Sequence, residues 1–299
     1  MTRAFVLGRR RKGRDNEAIV TEVRDLLRAA GWKADSRVVS SKGQLERVAR
    51  KAVKAGCDAV IAVGGDGSVV RVASALAGTK VALGIIPAGT GNLLAGNLKL
   101  PLGTAESART VLTGRTKRID LGRVNVDGKD HDFAVACGIG FDADVIAATG
   151  PNQKLHWGKL AYLANAIGQT GAIRNVPTEL TLDGVVTRTD AAQVFIANFG
   201  KMLPVIEPRR AIKADDGLLD VIVVRAAGPL PGLLASWEAM TQTGLGESSG
   251  GHVFRAQAHK VRIDTQPSRL VEVDGSLIGK TPIDVSILPR ALRVIVPKK

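Results

Sequence analysis

Two glycine-rich stretches hold the residues whose types and spacing suit chemistry. In VIAVGGDGS an apolar run leads into Gly64, Gly65, Asp66, Gly67 and Ser68. The glycines remove side chains where a backbone turns sharply or lets a ligand come close. Ser68 is expected to cap the helix that follows, leaving that helix's first N–H groups to face the loop and receive a phosphate. Asp66 would repel a phosphate on its own. A divalent cation resolves the conflict, with Asp66 helping to hold Mg²⁺ while the amides hold phosphate oxygens. The plainer reading is a tight strand-to-helix turn with an exposed Asp66.

The second stretch is GIIPAGTGNLLAGN, Gly84 to Asn97. Pro87 stiffens the strand exit, and Gly89 and Gly91 again allow close approach. Thr90 and Asn92 offer hydrogen bonds to a phosphate, a ribose or a base. Two such loops at the carboxyl ends of successive parallel strands should share one crevice. Neither has the Walker A pattern, and neither is a dinucleotide GxGxxG. Further acids sit beside glycines later on: Asp142 in GIGFD, Asp215 and Asp220 in DDGLLD, and Asp274 in EVDGS. Asp-Gly is also the strongest short hairpin signal, so each is equally readable as a turn.

The elements around these loops alternate. Ala4–Leu7 reads as a strand, and Asp15 as the cap of a helix carrying Ile19, Val23, Leu26 and Leu27. Val38–Val39 reads as a strand. Ser41 and Gln44 fit a capping box before Leu45, Val48, Ala49 and Ala52. Strands at Asp58–Val63 and Val81–Ile86 flank a helix at Val69–Ala77, and a short helix begins near Asn92. Continuous apolar strands alternating with helices predict a parallel sheet covered on both faces. After about Arg118 the rhythm changes. Asp127-Gly128 and Asp183-Gly184 predict type I′ hairpins, and Phe133–Ala136, Gln193–Ala197, Leu219–Val224, Lys260–Ile263 and Leu270–Val273 predict strands. Helices are expected near Lys159–Ile167 and Leu230–Met240. The stripe Leu230, Leu233, Leu234, Trp237 and Met240 is read as packing on a sheet, or as facing a lipid. Leu292–Val296 either finishes the second sheet or returns to the first.

The chain has 299 residues, 45% hydrophobic and 23% charged, which suits two globular domains. Its net charge of +14 attracts nucleotides, nucleic acids and anionic membranes without choosing among them. No pattern for nucleic-acid recognition accompanies the charge. Cys57 and Cys137 are read as buried thiols of a reducing compartment, not as a disulfide framework. No apolar run reaches the roughly 18 residues of a membrane span. A cytoplasmic protein is expected, visiting the membrane surface transiently.

Taken together, VIAVGGDGS, IIPAGTGNLLAGNL, ACGIGFDADV, DDGLLDVIVV, EVDG and LPRALRVIVP resemble, in order, the diacylglycerol kinase and sphingosine kinase catalytic family, with NAD kinase a distant relative. The resemblance implies an α/β class: a Rossmann-like domain over 1–120, joined by 288–299, and a mainly antiparallel, β-sandwich-like domain over 121–287. The active site is expected in the cleft between them. The family moves the γ-phosphoryl of ATP to a lipid hydroxyl with Mg²⁺, which implies a lipid substrate at an anionic membrane surface. Diacylglycerol is the expected acceptor, and a homodimer stays open. The resemblance places Gly64, Gly65, Asp66, Gly67, Ser68, Gly89, Thr90, Gly91 and Asn92 at the nucleotide. It makes Asp274 the base, Asp66 a catalytic residue, and Asp66, Asp215 and Asp220 metal ligands. The family's opening NPxSG is replaced here by VLGRRRKGRD, whose Arg9 and Arg10 either contact phosphates or only solvate the surface. The family's DGE reads DGS, with Ser276 in the Glu place. Three alternatives remain: another lipid acceptor, a soluble acceptor such as NAD, and a nucleotide-binding regulator without turnover.

Overall fold

The computed structural model describes residues 1–10, 16–140, 174–200, 212–226, 244–248 and 250–298. The chain divides into two compact units, Met1–Asp120 with Arg290–Lys299, and Leu121–Pro289.

The first unit alternates β1 (Arg3–Arg9), α1 (Asn16–Ala29), β2 (Lys33–Val39), α2 (Lys42–Lys54), β3 (Ala59–Gly64), α3 (Asp66–Leu76) and β4 (Ala82–Pro87). Then follow α4 (Leu93–Asn97) and α5 (Thr104–Thr113). The strands pair in the order β2-β1-β3-β4, all parallel. Burial on both faces explains their unbroken apolar runs: every residue of β3 is buried. On one face α1 supplies Val20, Val23 and Leu27 at helical spacing, packed with Val6, Ile61, Val63 and Val111 of α5. On α2 the Ser41–Gln44 capping box forms in full, closing the helix start reciprocally. Asp15 lies outside the described residues, and α5 is an element the sequence reading did not include. Among the described residues no helix is long and apolar enough to cross a membrane.

The second unit is antiparallel. It contains the second half of β5 (Arg115–Val126), β6 (Lys129–Phe133), β7 (Ala136–Gly140), β8 (Val176–Leu182), β9 (Val185–Ala191), β10 (Gln193–Ala197) and β11 (Leu219–Val224). It continues through β12 (Gly246–Glu247), β13 (Val253–Ala258), β14 (Lys260–Thr265), β15 (Leu270–Val273), β16 (Ser276–Lys280) and the first half of β17 (Ile283–Val296). One layer runs β9-β8-β14-β17, with β5 beside β17 and β6 beside β5; the other runs β12-β13-β11-β10-β7-β15-β16. Their inner faces share one core, in which Leu180, Ile263 and Ile283 meet Ile139, Ile196, Val221 and Val223. Val221 and Val223 alternate inward, as a half-buried strand requires. The expected helices near Lys159–Ile167 and Leu230–Met240 lie outside the described residues. Cys137 is buried and Cys57 half-buried, and neither is in a disulfide.

Both predicted hairpins form with two successive residues at positive φ, as type I′ turns require: Asp127 and Gly128 at 50° and 73°, Asp183 and Gly184 at 48° and 91°. Two expectations need correction. Phe133–Ala136 is not one strand, because β6 ends at Phe133 and β7 begins at Ala136. The GIG of GIGFD is not a loop after that strand but part of β7, which pairs with β10 on one side and β15 on the other. The choice left open for Leu292–Val296 resolves into a shared strand. Residues 283–286 of β17 pair antiparallel with β14, and Arg293 and Val294 pair in parallel with Ala82 and Leu83 of β4.

Gly122 stands directly opposite the fully buried Phe133 across the β5–β6 pair. A β-carbon at Gly122 would overlap the Phe133 ring. Gly122→Ala is therefore expected to destabilise the protein by about 1–3 kcal/mol, the usual cost of overpacking. Adding Phe133→Leu should return part of that loss, because the two sites share one volume. Urea unfolding midpoints at constant m-value measure both, and strictly additive effects would contradict the coupling.

Candidate active site

The two glycine loops of the first unit touch backbone to backbone. A β-carbon on Gly65 would stand 2.8 Å from the Gly89 Cα, and one on Gly89 would overlap the Gly65 backbone. The approach is drawn tight by the parallel pairing of Gly64 with Pro87 and by the Ala88 amide donating to the Gly64 carbonyl at 2.9 Å. Glycine is required on both sides for steric reasons alone.

Asn92 braces the second loop. It adopts the left-handed conformation with φ 48°, accepts from the Gly89 amide at 2.9 Å and donates to the Gly89 carbonyl at 3.1 Å. The side-chain amide that the sequence offers to a ligand is thus first used to shape the loop. Thr90 and Gly91 form its exposed tip.

Asp66 joins the loops electrostatically. It is the first residue of α3, and its Oδ1 accepts from the Leu94 amide at 3.2 Å, at the start of α4. A β-carbon on Gly91 would lie 2.9 Å from its Oδ2. Burial pushes the Asp66 carboxyl above its ordinary value, and the amides of Leu94, Leu93 and Asn92 pull partly the other way. Ser68 does not cap α3, contrary to expectation. Gly65 takes the N-cap place in an extended conformation, φ −91° and ψ 178°, without a side-chain cap bond. The helix therefore starts at Asp66, and Ser68 lies inside its first turn. The first amides of α3, at Asp66 and Gly67, have no intrahelical acceptor, as at every helix start. One carboxylate beside two bare loops suits a Mg²⁺ ion that draws its other ligands from phosphate oxygens and water.

Arg10 keeps different company. It pairs with Glu17 at 3.1 Å and lines a groove of about 340 Å³ with Arg37, Ser40, Gln44, Arg47 and Lys51, between β2 and α2. Arg9 ends β1, opposite Val39 of β2. Asn16 sits at the start of α1, buried, with Nδ2 donating to the Arg9 carbonyl at 2.7 Å. A cation that the motif reading missed does approach: a β-carbon at Gly67 would stand 3.5 Å from the Lys42 Nζ. The capping box was the available signal, since it fixes Lys42 at the first position of α2.

In the second unit, Asp274 occupies a third type I′ turn, between β15 and β16, with Asp274 at φ 45° and Gly275 at 79°. Its carboxylate accepts the amides of Ala134 at 2.7 Å, Val135 at 3.0 Å and Ala136 at 3.1 Å. Two of those residues, Ala134 and Val135, lie between β6 and β7, where their amides turn to the carboxylate. Glu272, buried, accepts the Gly275 amide at 2.7 Å and closes the same turn. Asp215 lies in the turn before β11; Asp220 is buried on β11 and accepts from Gln257 Nε2 at 3.2 Å. Among the described residues no three His, Cys, Asp or Glu side chains gather as a cation cage. Asp142 lies outside the described residues.

The raised pKa of Asp66 fixes a pH dependence. The folded protein holds this proton more firmly than the unfolded chain, so the stability it contributes is complete below the usual carboxylate range. That stability is lost as pH rises through the raised value. Asp66→Asn keeps an oxygen for the Leu94 amide and removes the ionisation. Without nucleotide, its Tm near pH 7 should equal or exceed that of the unsubstituted protein, and the gap should close as pH falls through the raised value and below the usual carboxylate range. A lower Tm near pH 7 would contradict the burial argument.

Comparison with known proteins agrees with this arrangement. Residues 4–124 match the diacylglycerol kinase catalytic domain, and residues 122–296 match the YegS C-terminal NAD kinase beta sandwich-like domain. A diacylglycerol kinase of Mycobacterium tuberculosis is 32% identical over 260 residues, covering 83% of this chain and 79% of its own length. A probable lipid kinase YegS-like of Pseudomonas putida is 30% identical over 287 residues, covering 94% and 91%. A protein of Synechocystis is 30% identical over 240 residues, of which the match covers 54% of the relative's length. The crystal structure of a putative diacylglycerol kinase from Bacillus anthracis superposes with a TM-score of 0.78 at 22% identity, covering 98% of this chain and 97% of that one. Glycine loops meeting around one carboxylate, a parallel sheet in the first unit, a β-sandwich in the second and these matches together place the chain in the family of diacylglycerol kinase catalytic domains with a YegS-type C-terminal domain.

Proposed function

We propose that this protein is an ATP-dependent lipid kinase that transfers the γ-phosphoryl of ATP to the free hydroxyl of diacylglycerol, giving phosphatidic acid. The observation that carries the reading is the contact of the two glycine loops around Asp66. Bare backbone, a helix start and one partly buried carboxylate suit a nucleoside triphosphate with a divalent cation. Mg²⁺, when bound, neutralises charge on the phosphate oxygens. Asp66 would hold that cation, and Gly64–Ser68 with Gly89–Asn92 would hold the nucleotide. Asp215 and Asp220 are further candidates for holding a cation.

Asp274 would orient the acceptor hydroxyl and take its proton onto a carboxylate oxygen as the new oxygen–phosphorus bond forms and the bond to ADP breaks. Its three amide donors fix the carboxylate before any acceptor arrives. The same three bonds also make it a structural clamp, so the test must separate the two roles.

Purified protein is offered labelled MgATP with micelles of diacylglycerol, monoacylglycerol or a sphingoid base, and separately with NAD. Label is expected in diacylglycerol. Asp274→Asn should keep MgATP binding while transfer per folded molecule falls by about 10²–10⁴. If Asp274 is only a clamp, the unfolding midpoint drops and transfer per folded molecule stays. Label in NAD alone would overturn the lipid reading, and bound ATP with no transfer would point to a regulator.

A further inference from the structure

Lys42 stands at the first position of α2, held there by the Ser41–Gln44 capping box. Its side chain reaches across to the first turn of α3, where the space a Gly67 β-carbon would fill lies 3.5 Å from Nζ and 3.7 Å from Cε. Gly67 is the residue after Asp66, so the ammonium is delivered to the loop read above as the phosphate cradle. That cradle has an electrostatic difficulty. Asp66 brings a negative charge to a place that must take a polyanion, and the arginine nearest in sequence to the first strand lines a separate groove, paired with Glu17. An ammonium on a flexible stem offers three donors and a compact charge, which suits phosphate oxygens that change position during transfer.

We propose that Lys42 is the side chain that neutralises the β- and γ-phosphates of the bound nucleotide. This rests on the nucleotide reading of the two glycine loops. It assigns the phosphate charge to the start of α2 and not to Arg10, which pairs with Glu17.

The experiment uses the full chain and measures Kd by calorimetry for MgATP, MgADP and adenosine. The variants are Lys42→Met, Lys42→Arg and, as a control for general surface charge, Lys51→Met on the same helix. Lys42→Met should weaken MgATP and MgADP by roughly 10- to 100-fold, the usual worth of a charge-assisted hydrogen bond, and leave adenosine unchanged. Lys42→Arg should recover part of the loss, and Lys51→Met should bind MgATP as the unsubstituted protein does. Unchanged MgATP affinity in Lys42→Met overturns the proposal. So does an equal loss for adenosine, which would mark a structural role, or an equal loss in Lys51→Met, which would mark bulk charge. If the unsubstituted protein binds no MgATP, the nucleotide reading falls and this inference with it. If that protein binds and Lys42→Met does not differ, only the inference falls.

Discussion

The first unit is organised around a contact that only two glycines can make. Gly65 and Gly89 belong to loops after neighbouring strands, and their backbones lie closer than any side chain would permit. Everything near them serves that approach. The parallel β3–β4 register delivers both loops to the same end of the sheet. Asn92 spends its amide on Gly89, and Asp66 reaches from α3 to the first amides of α4. A loop so braced loses little freedom when a ligand arrives, so less of the binding energy is consumed in ordering it.

Two aspartates set beside glycines have opposite surroundings. Asp66 is short of compensation: burial raises its pKa despite the amides of α4, which leaves an acid ready to gain from a cation. Asp274 is richly compensated, with three amides on its two oxygens. The first arrangement favours exchange with something from solution. The second favours a fixed direction. The difference is one of compensation alone: buried charge without enough donors stays open to an incoming charge, and a fully paired carboxylate does not turn.

How legible this was depends on the range of each interaction. The capping box and the Asp-Gly turns are decided within four residues, so Ser41, Gln44, Asp127 and Asp183 were readable directly. The strands of the first unit were readable because burial on both faces writes an unbroken apolar run. Ser68 was misplaced as a cap because the extended Gly65 moves the helix start forward, and a glycine's backbone angles leave no trace in residue type. The GIG of β7 reads as loop material, yet strands on both sides pair with it. The Gly65–Gly89 contact and the reach of Lys42 to Gly67 were invisible, because each depends on where separate elements come to lie. That the two loops share one crevice was readable from their places after successive parallel strands.

The path of β17 bears on how the chain is made. The outer edge of β4 is completed by Arg293 and Val294, which follow the entire second unit in sequence. Ile295 then joins the core beneath α1 and α5. In many multidomain chains the N-terminal part folds first as it leaves the ribosome. Here β4 keeps an open edge through the synthesis of the whole β-rich unit, and an open parallel edge is a template for pairing with other chains. The edge of β4 is covered only once Arg293 and Val294 are made, so the residues that end the exposure are those that tie the first unit's sheet to a strand begun in the second.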